Sequence, residues 1–166
     1  MFVRTASARD LPAIRALLVA TWHDTYDGIY GAERVTAITD EWHSLPALAA
    51  RLERPGSEFL VADDGARVGG VAFAAMGDDG ASVSLQQLYV LPELQGRGIG
   101  GLLLDEIEGC FPEAARIEAE VEEKNARAIA FYRAQGFAER ARRSVSGAGG
   151  AAIDVLVLER PIVWAD

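Results

Sequence analysis

Seven residues, Gln95-Gly96-Arg97-Gly98-Ile99-Gly100-Gly101, hold four glycines between a strand-like run and an amphipathic stretch. Glycine lets the backbone turn tightly and approach a ligand without side-chain obstruction. The start of a helix adds unpaired N–H groups and the positive end of its dipole, a combination suited to phosphate or pyrophosphate. An ordinary glycine-rich turn is the alternative. A Rossmann dinucleotide loop would follow the first strand of its unit, with an acid about twenty residues on. This loop follows the fourth strand-like run, with Gly-x-Gly-x-Gly spacing. A Walker loop needs Gly-Lys-Ser/Thr, and the sequence has none here.

A second group of chemically capable residues is Glu118, Glu120 and Glu122. They alternate with Ile117, Ala119 and Val121, so on a strand the three carboxylates share one face. Such a face can take protons or bind a cation, or it can simply be solvated or ion-paired. His23 and His43 each stand beside a tryptophan, in Trp22-His23-Asp24 and Trp42-His43. The spacing of His23, Asp24 and Asp27 is poor for a metal, so none is expected. The single cysteine, Cys110, excludes an internal disulfide and a cysteine-based zinc site, and beside Ile107 and Phe111 it reads as core.

The elements that would position these groups follow from periodicity. Phe2 to Thr5 reads as a strand. Ser7, with Asp10 three residues on, reads as a helix cap ahead of Leu11, Ile14, Leu17, Leu18, Thr21 and Trp22, predicting a helix to about residue 24. Tyr26 to Trp42 has no clear period. Leu45 to Leu52 predicts a helix, Phe59 to Ala62 and Val68 to Met76 a hairpin around Asp64-Gly65. In Ser82 to Leu91 the apolar positions are Val83 and Leu85, then Leu88 and Val90. This switch from odd to even numbers requires a one-residue slip near Gln86-Gln87, which a β-bulge supplies. A helix with Ile99, Leu102, Leu103, Ile107 and Phe111 on one face follows, then a strand from Arg116 to Val121. A helix from Asn125 to Gln135 ends at Gly136. Phe137 to Val145 and Ala152 to Leu158 close as a hairpin around Ser146-Gly147-Ala148-Gly149-Gly150. The result is an α/β fold: a mixed central sheet with a bulged fourth strand and helices on both faces.

The chain of 166 residues fits one domain, 1–166, with half its residues hydrophobic and no run long enough for a membrane span. A net charge of −9 disfavours nucleic acid and anionic membranes as partners. Met1-Phe2-Val3-Arg4-Thr5 lacks a signal-peptide pattern, so a cytoplasmic location is expected. A homodimer is left open.

The stretch Leu88-Tyr89-Val90-Leu91-Pro92-Glu93-Leu94-Gln95-Gly96-Arg97-Gly98-Ile99-Gly100 resembles the acetyl-CoA-binding motif of the GNAT superfamily of N-acetyltransferases. Glu120 to Phe137, including Asn125-Ala126-Arg127-Ala128-Ile129-Ala130-Phe131-Tyr132, resembles the superfamily's second motif. The resemblance implies acetyl transfer from acetyl-CoA to a primary amine. It implies that Leu88 and Val90, around Tyr89, pair through their backbone with the pantetheine arm. It also implies that N–H groups from Gln95, Gly96, Arg97, Gly98, Ile99, Gly100 and Gly101 hold the pyrophosphate. Asn125 matches a residue contacting the cofactor arm, although asparagine is also a favoured helix cap. Tyr132 matches the tyrosine that protonates the leaving thiolate, with Phe131 free to take the core position.

The reaction needs a neutral amine, a donor for the carbonyl oxyanion and a proton for the thiolate. An amine of pKa near 10.4 is neutral about once in 10³ molecules at pH 7, so a base helps. The oxyanion donor expected is a backbone N–H freed by the bulge, that of Val90. Many relatives carry a glutamate on the bulged strand, where this chain has Ser84 and Gln86; resemblance to ribosomal-protein alanine acetyltransferases points instead to Glu120. Thr21-Trp22-His23-Asp24-Thr25-Tyr26 with Ala152-Ile153-Asp154-Val155 resembles the PAI-type polyamine acetyltransferase branch. An amino acid, a protein N-terminus and an aminoglycoside stay open as acceptors, as does a non-catalytic acetyl-CoA-binding module.

Overall fold

The computed structural model describes residues 1–146 and 152–164. The first strand, β1 (Phe2–Thr5), leads into a 3-10 turn at Ala8–Asp10. Ser7 and Asp10 form the reciprocal capping pair that their spacing predicts. The Asp10 carboxylate is buried and also takes a two-pronged contact from Arg4, both at 2.8 Å; Arg4 reaches Asp63 at 3.0 Å. The Arg4 guanidinium holds Asp10 well below the ordinary carboxylate range. This cluster ties the first strand to the first helix.

That helix, α1 (Leu11–Tyr30), is longer than its sequence pattern predicts, and α2 (Ala32–Trp42) fills the stretch that had no clear period. Gly31, at φ +85°, separates the two. Trp22 and Tyr26 of α1 pack with Val35 and Ile38 of α2, contacts too distant in sequence to leave a local period. Then follow α3 (Leu45–Leu52), β2 (Ser57–Asp63), β3 (Val68–Met76) and β4 (Ser82–Val90). The last five elements are α4 (Ile99–Gly109), β5 (Arg116–Glu122), α5 (Ala126–Ala134), β6 (Ala138–Val145) and β7 (Ile153–Pro161). The expected turn at Gly147 to Gly150 lies outside the described residues.

The seven strands form one mixed sheet in the order β1-β2-β3-β4-β5-β7-β6. Among the described residues only β4 and β5 pair in parallel, because α4 carries the chain back across the sheet between them. Helices α4 and α5 cover one face; α1, α2 and α3 cover the other. On α4 the buried positions are Ile99, Leu103, Leu104 and Ile107, each contributing about 1.5–3 kcal/mol of burial. Leu102, predicted on that face, is exposed, and Leu104 stands in its place. Cys110 is half-buried against this core.

Of two neighbouring glycines of β3, Gly70 lets α4 approach and Gly69 lets in Leu94, from the turn ahead of α4. A Cβ at Gly70 would lie 2.9 Å from Leu103 Cδ1, and one at Gly69 only 2.6 Å from Leu94 Cδ1. Since Gly70 stands opposite Val90, this approach sets the start of α4 beside the end of β4.

Candidate active site

The bulge falls where the parity switch predicts it. Phe73 stands opposite Gln87 and Ala74 opposite Leu85, leaving Gln86 as the extra residue of β4. Beyond it β4 leaves β5: their pairing runs from Ser82–Arg116 to Leu85–Ala119 and stops. The Leu91 N–H bonds the Gly69 carbonyl at 2.9 Å. Antiparallel ladders alternate, so Tyr89 also bonds toward β3, while the N–H and C=O groups of Leu88 and Val90 point into the gap beside β5. The strands thereby form a slot edged by unpaired backbone.

The glycine loop closes one end of that slot. Gly98 caps α4 at φ +83°, and Gly96 lies at φ +78°, a region that a side chain makes unfavourable. A Cβ at either position meets nothing within 4 Å, so the backbone there stands open to a ligand. Gly100 has another reason to be glycine: its Cβ would lie 3.3 Å from the Phe131 ring of α5. Gln95 donates its Nε2–H to the Val90 carbonyl at 3.1 Å, and its Oε1 is buried without a partner. The open loop and the helix start fit the anionic pyrophosphate of acetyl-CoA, and the orphaned acceptor fits an N–H donor of its pantetheine arm.

Slot and loop open into a cleft of about 830 Å³. Of the residues that the sequence points to, Leu88, Tyr89, Val90, Gln95, Gly96 and Gly98 line it, as do Ile99, Gly100, Gly101, Glu120, Asn125 and Tyr132. Arg97 is exposed and stands outside this lining.

Tyr132 is buried between the rings of Phe131 and Phe137, with centroids 5.2 and 5.1 Å away. Phe131 is the half-buried member of the pair, the reverse of the expected division. Burial first, then the nearby Tyr89, raises the Tyr132 hydroxyl far above its ordinary pKa, so it stays protonated at any physiological pH. Asn125 caps α5, accepting the Ala128 N–H at 3.1 Å, and donates to the Tyr26 hydroxyl at 3.2 Å.

The three glutamates share a face as expected, and each is engaged. Glu118 pairs with Arg140 at 3.0 Å, Glu120 with Arg143, and Glu122 accepts the Lys124 N–H at 2.9 Å. Glu122 is buried; burial of Tyr30, then Glu122, pushes the Tyr30 hydroxyl up to about 12.

The opposite wall was not legible in the sequence as a unit. Trp22 packs against Tyr26, Trp42 and Tyr89, with centroids 4.6, 5.8 and 6.5 Å apart. His43 is buried beside Trp22 and contacts Gln87 through Nδ1 at 3.3 Å. Burial, then Arg51, lowers His43 to about 3, so it is neutral. His23 lies apart, paired with Asp27 at 2.6 Å. Among the described residues no group of three or more His, Cys, Asp or Glu could hold a metal, and no helix is long and apolar enough to cross a membrane.

The model of the acetyltransferase (GNAT) family matches residues 13–137, and the chain belongs to that family. It is an acetyl-CoA-dependent N-acetyltransferase with the family's fold. Among solved structures it is similar to the PaiA N-acetyltransferase of Thermoplasma acidophilum in complex with coenzyme A. That match has TM-score 0.83 and 23% identity, and covers 97% of this chain and 98% of that one. It is also similar to the ribosomal-protein-alanine N-acetyltransferase of Brucella melitensis, at TM-score 0.72 and 28% identity over 98% and 100% of the two chains. No curated protein matches the chain by sequence.

Proposed function

We propose that this enzyme transfers acetyl directly from acetyl-CoA to a primary amine that enters from the α1–α3 face of the sheet. The observation that carries this reading is the slot: unpaired backbone of Leu88 and the free N–H of Val90 beside the open start of α4, with Tyr132 on the cleft wall. Acetyl-CoA supplies the thioester carbonyl and the thiolate leaving group. Gly96 to Gly101 receive its pyrophosphate, and the Leu88 backbone aligns its arm along the slot. The Val90 N–H stabilises negative charge on the carbonyl oxygen. Tyr132 holds a proton for the departing sulfur, and Asn125 fixes the start of α5, which carries Tyr132.

Glu120 is the carboxylate of this cleft that solvent reaches, and we assign it the amine's proton, taken directly or through a water. Its pairing with Arg143 supports a specific second reading, in which Glu120 is a structural ion pair and the amine enters already neutral. The polyamine reading rests on the PAI-type resemblance of Thr21 to Tyr26 and Ala152 to Val155; an acidic strand face adds little to it, because Arg140, Arg143 and the Lys124 N–H engage those carboxylates.

Thiol release from acetyl-CoA, measured with a panel of amines, tests the reading. Amine-dependent release with a matching acetylated product supports it. Acetyl-CoA binding without release for any amine of the panel would contradict direct transfer to a primary amine.

A further inference from the structure

The acceptor wall of the cleft contains a cation with no anion. Arg51, in the last turn of α3, donates Nη2–H to the Trp42 carbonyl at 2.9 Å, while Nη1 is buried without a partner. No ion pair involving Arg51 occurs among the described residues, and Arg54 adds positive charge nearby. Burial disfavours the charged form of Arg51 and lowers its pKa, a penalty of the kind that an incoming anion relieves. Beside it, His43 Nε2 and Gln87 Oε1 are also buried without partners. In the tautomer whose Nδ1 accepts from Gln87 Nε2, the neutral imidazole carries its proton on Nε2, a second free donor. Trp22 and Trp42 flank these groups with apolar surface.

We propose that the acceptor amine also bears a carboxylate, which Arg51 and His43 receive, so that the substrate class is a free amino acid with an apolar or aromatic side chain. This inference rests on the acyl-transfer reading and narrows it. The second ammonium of a polyamine would face Arg51 as a like charge, and the glutamates that could offset it are already paired. A guanidinium presents a planar fork matched to a carboxylate, and losing such a charge-assisted contact lowers affinity roughly 10- to 150-fold.

The test compares kcat/KM for the twenty L-amino acids, their carboxamides and spermidine. The wild-type enzyme is expected to prefer at least one apolar amino acid over its carboxamide by about 10-fold or more. Arg51→Gln should bring that ratio close to one, and Arg51→Lys should retain part of it. An acetyl-CoA-induced thermal shift in each variant shows that it is folded, and a merely structural Arg51 would leave the ratio unmoved. Equal or better use of carboxamides or spermidine, or a preference that survives in folded Arg51→Gln, overturns the proposal while acyl transfer stands. Failure of every amine overturns both.

Discussion

The Gln95 side chain donates to the Val90 carbonyl at 3.1 Å, joining the first residue of the glycine loop to the last residue of the splayed strand. The bond occupies the Val90 C=O and leaves its N–H facing the slot. It also fixes the loop relative to the strand along which the pantetheine arm would lie. Gln95→Ala should lower Tm by roughly 2–4 °C through the lost internal hydrogen bond and weaken acetyl-CoA binding about 5- to 10-fold as the loop loses its tie to the strand. Calorimetric titration of the variant measures this.

Gly98 carries a backbone requirement as well as an open approach, since its φ is +83°. Gly98→Ala should cost about 1–2 kcal/mol of stability through left-handed strain, or roughly 2–8 °C in Tm, in addition to weaker acetyl-CoA binding. Melting curves with and without acetyl-CoA separate the two effects.

Tyr132→Phe keeps the packed ring and removes only the hydroxyl. Acetyl-CoA affinity should survive while kcat falls by roughly 10²-fold. Because burial raises the Tyr132 pKa, the wild-type pH–rate profile should show no loss from its deprotonation below pH 9. Unchanged turnover in the variant removes Tyr132 from proton transfer.

Glu120→Gln separates the two roles open to that carboxylate. As the proton acceptor, Glu120 sets the acidic limb of the pH–rate profile, and the variant should lose both that limb and turnover. As a structural partner of Arg143, its loss should leave the profile intact and lower only Tm. Pairing this variant with Arg143→Gln in a double-mutant cycle measures how far the two act as one unit.

Asp10 makes stability depend on acid. Its folded pKa is depressed by Arg4, so its contribution is present above the unfolded value near 3.9 and fades as pH falls below it. Asp10→Asn should cost about 2 kcal/mol at pH 7 through the lost cap and ion pair, and less at pH 3. Urea melts at the two pH values give the difference.

The parts legible in the sequence are those written in short-range periods. The slip at Gln86 shows as a parity change between Leu85 and Leu88 because a strand repeats every second residue. The glycine loop shows because backbone handedness at Gly96 and Gly98 admits few other residues. The end of α1 and all of α2 do not show: their apolar contacts join Trp22 and Tyr26 to Val35 and Ile38 across a turn. Arg51 likewise carries no signal of its own in the sequence. Its burial comes from Trp42 and from β4, elements that only the fold brings together.

Amide hydrogen exchange, followed by NMR with and without acetyl-CoA, tests the slot most directly. The register leaves the Leu88 and Val90 N–H groups unpaired while Tyr89 and Leu91 bond to β3. The account predicts that Leu88 and Val90 exchange rapidly in the free enzyme and slow by about 10-fold or more with acetyl-CoA, as new hydrogen bonds form. Tyr89 and Leu91 should be protected in both states. Saturating acetyl-CoA that leaves Leu88 and Val90 exchanging as before would contradict the account at its centre.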